Sequence, residues 1–195
     1  MAANVLIPRH LAPAEFGRVD LANKLIQLTA YLGLFGLNSA LIRSVPLADL
    51  NRYDWKVGIG RVALVALAIT AAVTVGAGIY YHFTPLATAL MTLAGWLFGL
   101  TVAGGAVLSI QRRFTLSQLL LYLWRPFLLV AALALIAGHA LTTGALIATY
   151  AVAGLVQVVG VFVALRASPS GREPLPTARL VNEGLLFFGL FMTGT

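Results

Sequence analysis

The chain has 195 residues, of which 60% are hydrophobic and only 10% charged, giving a mean hydropathy of +0.93. A soluble domain of this length needs many more charges to cover its surface, so the composition excludes one. The net charge of +7 does not point to nucleic acid, because the basic residues sit between long apolar runs, where the positive-inside bias of a bilayer puts them.

A hydrocarbon core of roughly 30 Å is crossed by about 20 apolar helical residues. Taken in chain order, five stretches meet that length: Leu21 to Ile42, Ile59 to Tyr81, Leu86 to Ile110, Gln118 to His139 and Thr143 to Leu165. A further apolar run begins near Gly184 and is still in progress at Thr195. Each segment must satisfy its own backbone in lipid, so the expected fold class is all-α, a polytopic membrane helix bundle of about five complete spans plus a truncated one. The expected organisation is a bundle over residues 1–166, a Pro-, Ser- and Gly-rich linker over 167–182 and the start of another span over 183–195.

His82 to Pro85 and Ala140 to Thr142 are short enough for tight turns between antiparallel helices. The longer connections, 44–58, 111–117 and 167–182, carry most of the charge. Placing them in the cytoplasm puts Arg43, Arg52, Lys56, Arg61, Arg112, Arg113, Arg166, Arg172 and Arg179 inside, against Arg9, Arg18 and Lys24 outside. Within the first connection, Val45 to Trp55 reads as a short helix in the headgroup layer.

Polar residues inside the apolar spans are the candidates for function. Asp20, Lys24, Gln27, Tyr31 and Asn38 are spaced by 4, 3, 4 and 7 residues. On one helix they project within a sector of roughly 60°. A stripe of this kind must face protein or water, either as interhelical hydrogen bonding with Lys24 snorkelling beside Asp20, or as the wall of a hydrated cavity. Arg125 is the second candidate. The apolar run from Pro126 to His139 is too short to cross the core at 1.5 Å per residue, so Arg125 lies within the membrane. It either snorkels or binds an anion. Pro126 has no N–H for the carbonyl of Tyr122, which predicts a bend there and a freed acceptor. Trp124 fits an interfacial belt or a cavity.

On the third and fifth long segments the signals are weaker. Thr88, Thr92, Gly95, Gly99 and Ala103 form a small-residue face suited to close packing. Tyr150, Gly154 and Gln157 share a face, with Gln157 a candidate cavity residue. His82 and His139 fall at helix ends. No HExxH, GxSxG, Walker loop or clustered carboxylate is present, and there is no cysteine. The sequence therefore predicts no enzyme, no metal site and no cofactor.

Leu11-Ala-Pro-Ala-Glu-Phe-Gly17 resembles a Leu-Gly-Pro-Glu-Glu-Phe-Gly loop that follows the first helix of polysaccharide exporters and O-antigen flippases. Gly36-Leu-Asn-Ser-Ala-Leu-Ile-Arg43 is similar to that family's Gly-Leu-x-x-Ala-Leu-x-Arg. Gln111-Arg-Arg-Phe114 and Leu123-Trp-Arg-Pro126 resemble its basic connection and Arg-Pro pair. The family belongs to the multidrug/oligosaccharidyl-lipid/polysaccharide superfamily. The resemblance implies a transporter of two helix bundles in a bacterial inner membrane, moving an undecaprenyl-diphosphate-linked oligosaccharide by alternating access. It implies that the first family helix, apart from its tail at Ala2 to Ile7, and the whole second bundle are missing from this sequence. Arg43 and Arg125 match motif positions. Lys24 and Arg125 become the expected cavity cations, with Gln27, Tyr31 and Asn38 as sugar- or water-facing partners. The competing readings are part of a multidrug exporter and a non-transporting scaffold subunit of a cell-envelope polysaccharide assembly.

Overall fold

A computed structural model describes residues 7–32, 41–43, 45, 53–166 and 173–174. The protein is an all-α helical bundle. After a single 3-10 turn at Ile7–Arg9, helix α1 spans Pro13–Leu32, α2 Trp55–Tyr80, α3 Pro85–Ile110, α4 Phe114–Tyr122, α5 Trp124–Ala137 and α6 Thr143–Leu165. Among the described residues, four spans are long and apolar enough to cross a membrane: Lys56–Tyr80, Pro85–Ile110, Phe114–Ala137 (α4 and α5 together) and Thr143–Leu165. This is a multi-pass membrane protein.

Helix starts follow from the local sequence. Pro13 and Pro85 occupy first-turn positions where the missing N–H costs nothing. Thr84 and Thr142 cap α3 and α6 by accepting from the backbone N–H of Ala87 and Ala145. Asp54 does the same for α2 through the N–H of Val57. These caps move two expected boundaries. The segment Leu11 to Gly17, expected as a loop, is helical from Pro13, with Glu15 in the first turn complementing the helix dipole. The second span starts at Trp55, four residues earlier than Ile59.

Helix ends share one device. In α2, α3 and α5 the residue after the cap (His82, Arg112, His139) is left-handed, at φ 55°, 61° and 51°. The next N–H in each case reaches back to close the turn: Phe83 to the Gly78 carbonyl, Arg113 to Leu108 and Ala140 to Leu135. The expected tight turns at His82 to Pro85 and Ala140 to Thr142 are built this way.

The centre of the bundle is α3, against which α1, α2, α4 and α6 all pack. Gly95 and Gly104 make this possible, since a Cβ would strike Thr29 of α1 at the first and Val161 of α6 at the second. The expected small-residue face is therefore a packing face. Trp96 fixes α3 to α2 by donating from its indole Nε1 to the Ala63 carbonyl at 2.8 Å.

The apolar core divides into two clusters. One, around Ala103, Val107, Leu120, Val161 and Leu165, lies at the end where α2 begins and α3 and α6 finish. The other, around Ile26, Met91, Leu128, Leu146 and Tyr150, lies at the opposite end. Arg43, Lys56, Arg61, Arg112, Arg113 and Arg166 belong to the first end. Arg9, Arg18 and Lys24 belong to the α1 start at the second. At the first end, Tyr53–Asp54 and Glu173–Pro174 form a two-residue parallel pairing, Tyr53 opposite Glu173. Tyr53 and Asp54 are thus extended where a headgroup-layer helix was expected, and part of the expected linker is paired to the bundle. Residues 33–40, 46–52 and 175–195 lie outside the described residues, and with them most of the remaining interfacial helix and the run from Gly184.

Candidate functional site: a polar cavity at the seam of the core

The expected helix from Gln118 to His139 starts earlier, at Phe114, and is interrupted at Leu123. Pro126 supplies no N–H to Tyr122, and the amide of Phe127 reaches the Leu123 carbonyl only at 3.3 Å. At this interruption Gln157 of α6 intervenes: its Nε2 donates to the carbonyls of Leu120 at 2.6 Å and Leu121 at 3.1 Å. Gln157 is fully buried, and its Oε1 has no hydrogen-bond partner. It corrects the expectation for this residue. Gln157 is an interhelical clamp and does not line the cavity.

The cavity, of about 130 Å³, opens beside this break, at the level of α3 where the two core clusters part. Helix α1 contributes Asn23, Gln27 and Tyr31 as its polar side, with Ile26 and Ala30 at the base. The amide of Gln27 donates to the Asn23 side-chain oxygen at 2.9 Å, one turn away, so the two form a paired amide edge. Helix α3 contributes Phe98 and Thr101, whose hydroxyl is spent on the Leu97 carbonyl of its own helix. Buried Tyr150 comes from α6.

From the other side comes Arg125. Its guanidinium carbon stands 4.8 Å from the centroid of the Tyr122 ring and 5.6 Å from that of Trp124. Trp124 in turn meets Phe98 at 6.0 Å edge-on and Tyr150 at 6.1 Å. The cation thus stands against two aromatic rings, Tyr122 from the end of α4 and Trp124 from the start of α5, on either side of the interruption. Trp124 lines the cavity.

The structure brings together Gln27, Tyr31 and Arg125 of the expected site residues. It does not bring Lys24. That side chain is 72% exposed and ion-paired with Asp20 at 2.7 Å, one turn beyond the cavity along the same stripe. The pair is intrahelical, between residues four apart, which holds the ammonium away from the cavity. Arg43 is exposed at the opposite, basic end. Asn38 lies outside the described residues. Asn23 and Tyr122 are cavity residues that the sequence reading passed over. Their signal was present: Asn23 is four residues before Gln27, and Tyr122 three before Arg125.

A cation on aromatic rings, an amide edge and phenols suit an anionic, hydroxyl-rich solute. No family model, no curated protein and no solved structure matches the chain.

Proposed function

We propose that this chain forms one wall of a transporter that flips or exports lipid-linked oligosaccharide precursors across a bacterial inner membrane. The observation that carries the reading is Arg125. A guanidinium within a membrane span is costly unless it meets protein, water or an anion. Here it faces a cavity whose opposite side is a pair of amides and a tyrosine. A diphosphate headgroup crossing hydrocarbon loses its hydration, and a pre-stacked guanidinium offsets part of that loss. Amides and aromatic rings suit the sugar hydroxyls and the apolar faces of pyranose rings. The motif resemblance around Leu11–Gly17, Arg43 and Arg125-Pro126 supports the same class.

In this reading the basic end faces the cytoplasm by the positive-inside rule, and a second helix bundle supplies the opposing cavity wall. The test is cysteine scanning along positions 20 to 31 with a membrane-impermeant thiol reagent, combined with glycan export in cells that depend on the protein. Labelling at the cavity positions 23, 27 and 31 as well as at the exposed outer positions 20 and 24, with protection of 21, 25 and 28, and export lost in Arg125→Ala, supports the proposal. Uniform protection along α1 with export intact favours a scaffold subunit.

A further inference from the structure

The interruption between α4 and α5 reaches further back than its proline explains. Pro126 lacks an N–H, which deprives one carbonyl of its partner, that of Tyr122. In an unbroken α-helix the carbonyls of Leu120 and Leu121 would accept from the amides of Trp124 and Arg125, four residues on. Proline removes neither of those donors. Both carbonyls accept instead from one group on another helix, Nε2 of Gln157, at 2.6 and 3.1 Å. Helix α5 starts afresh at Trp124, so the amides of Trp124 and Arg125 are first-turn donors with no intrahelical partner. These same two residues give the cavity its cation and one of the two rings beside it.

Helix α6 is built to bring Gln157 to the main chain of α4. At Gly160, one turn further along, a Cβ would come within 2.7 Å of Cδ2 of Leu120. At Gly154, one turn before, it would stand 3.0 Å from Cβ of Leu97 on α3. Between these two close approaches Gln157 is fully buried, with Oε1 left unpaired. Burying an acceptor without a donor is costly, and what that burial secures is the hold on two carbonyls. We propose that Gln157 is the positioning residue for Arg125. By occupying the Leu120 and Leu121 carbonyls it keeps the amides of Trp124 and Arg125 from closing onto them. The first turn of α5 is thereby held where the guanidinium stands beside Tyr122 and Trp124. Without that donor the two amides return to their carbonyls, α5 is drawn into line with α4, and Arg125 leaves its rings. The inference rests on the proposed function only in taking Arg125 as the cation that meets the ligand; the placement itself does not depend on transport.

The experiment is nuclear magnetic resonance of the full chain in detergent micelles, with isotope-labelled arginine and tryptophan. In wild type the backbone amides of Trp124 and Arg125 are expected to exchange quickly with water. The Arg125 side-chain Nε proton is expected upfield of its ordinary range, shifted by the two rings. Gln157→Met, of similar length but without a donor, is expected to slow exchange of both amides about tenfold and to return the Nε proton to that range. A general loosening of the bundle would speed exchange, so the readout separates positioning from stability. Pro126→Ala is expected to leave both signals as in wild type, because Gln157 still holds the carbonyls. Fast exchange and an upfield proton that persist in Gln157→Met overturn the proposal. So does a Pro126→Ala variant in which both are lost, and that variant decides alone if Gln157→Met does not fold. Signals that change as expected in Gln157→Met while export is unaffected uphold the positioning and count against the transport reading.

Discussion

The side-chain amide of Gln157 on α6 donates to the main-chain carbonyl of Leu120 on α4 at 2.6 Å, thirty-seven residues away in sequence. That carbonyl and its neighbour on Leu121 belong to the last turn before the interruption at Leu123. Pro126 opens the helix, and Gln157 compensates. The compensation is incomplete, because the other end of the same amide, Oε1, is buried without a protein partner. We expect Gln157→Leu to destabilise the bundle by about 1–2 kcal/mol, the net of lost donation and relieved acceptor burial. Gln157→Glu is expected to cost more at neutral pH, since a carboxylate would face two carbonyl oxygens. Thermal unfolding midpoints in detergent check the order wild type, Leu, Glu.

Arg125 distinguishes charge from shape. Lysine keeps the cation but lacks the planar group that stacks on Tyr122 and Trp124. Export is expected to fall several-fold in Arg125→Lys and further in Arg125→Ala. Equal export by arginine and lysine variants would show that the two rings play no part in transport.

Gly95 and Gly104 should respond differently from Gly60, although all three are helical. Alanine at 95 or 104 meets Thr29 or Val161 in tightly packed surroundings. Overpacking of this kind costs about 1–3 kcal/mol. Alanine at exposed Gly60 meets open space and is expected to stabilise α2 by about 0.5–1 kcal/mol. Unfolding of the three single variants in one detergent supplies the comparison.

His82 and His139 hold the left-handed position that closes their helices. An L-residue pays about 1–2 kcal/mol for that conformation, of which glycine is relieved. Glycine at either site is expected to raise the unfolding midpoint, and valine to lower it. A glycine variant no more stable than wild type would mean that the imidazole makes a compensating contact.

The spans were legible because length and apolarity are one-dimensional quantities: α6 runs over Thr143–Leu165 as expected. The cavity was half legible. Gln27 and Tyr31 follow from helical spacing on one segment, and Arg125 from its distance to the far end of its span. Gln157 was not legible, because its partners are main-chain carbonyls that become available only where another helix breaks beside it. Periodicity places a side chain on a face but does not say what waits opposite. Lys24 shows the converse. Its spacing matches the stripe, yet a carboxylate one turn away claims it first.

The pairing of Tyr53–Asp54 with Glu173–Pro174 joins the residues just before α2 to residues beyond α6. A translocon delivers helices in order, so the later strand emerges only after every intervening span has entered the bilayer. The first strand must wait through that whole interval. The pairing is therefore a latch that can shut only after α2 to α6 have been synthesised.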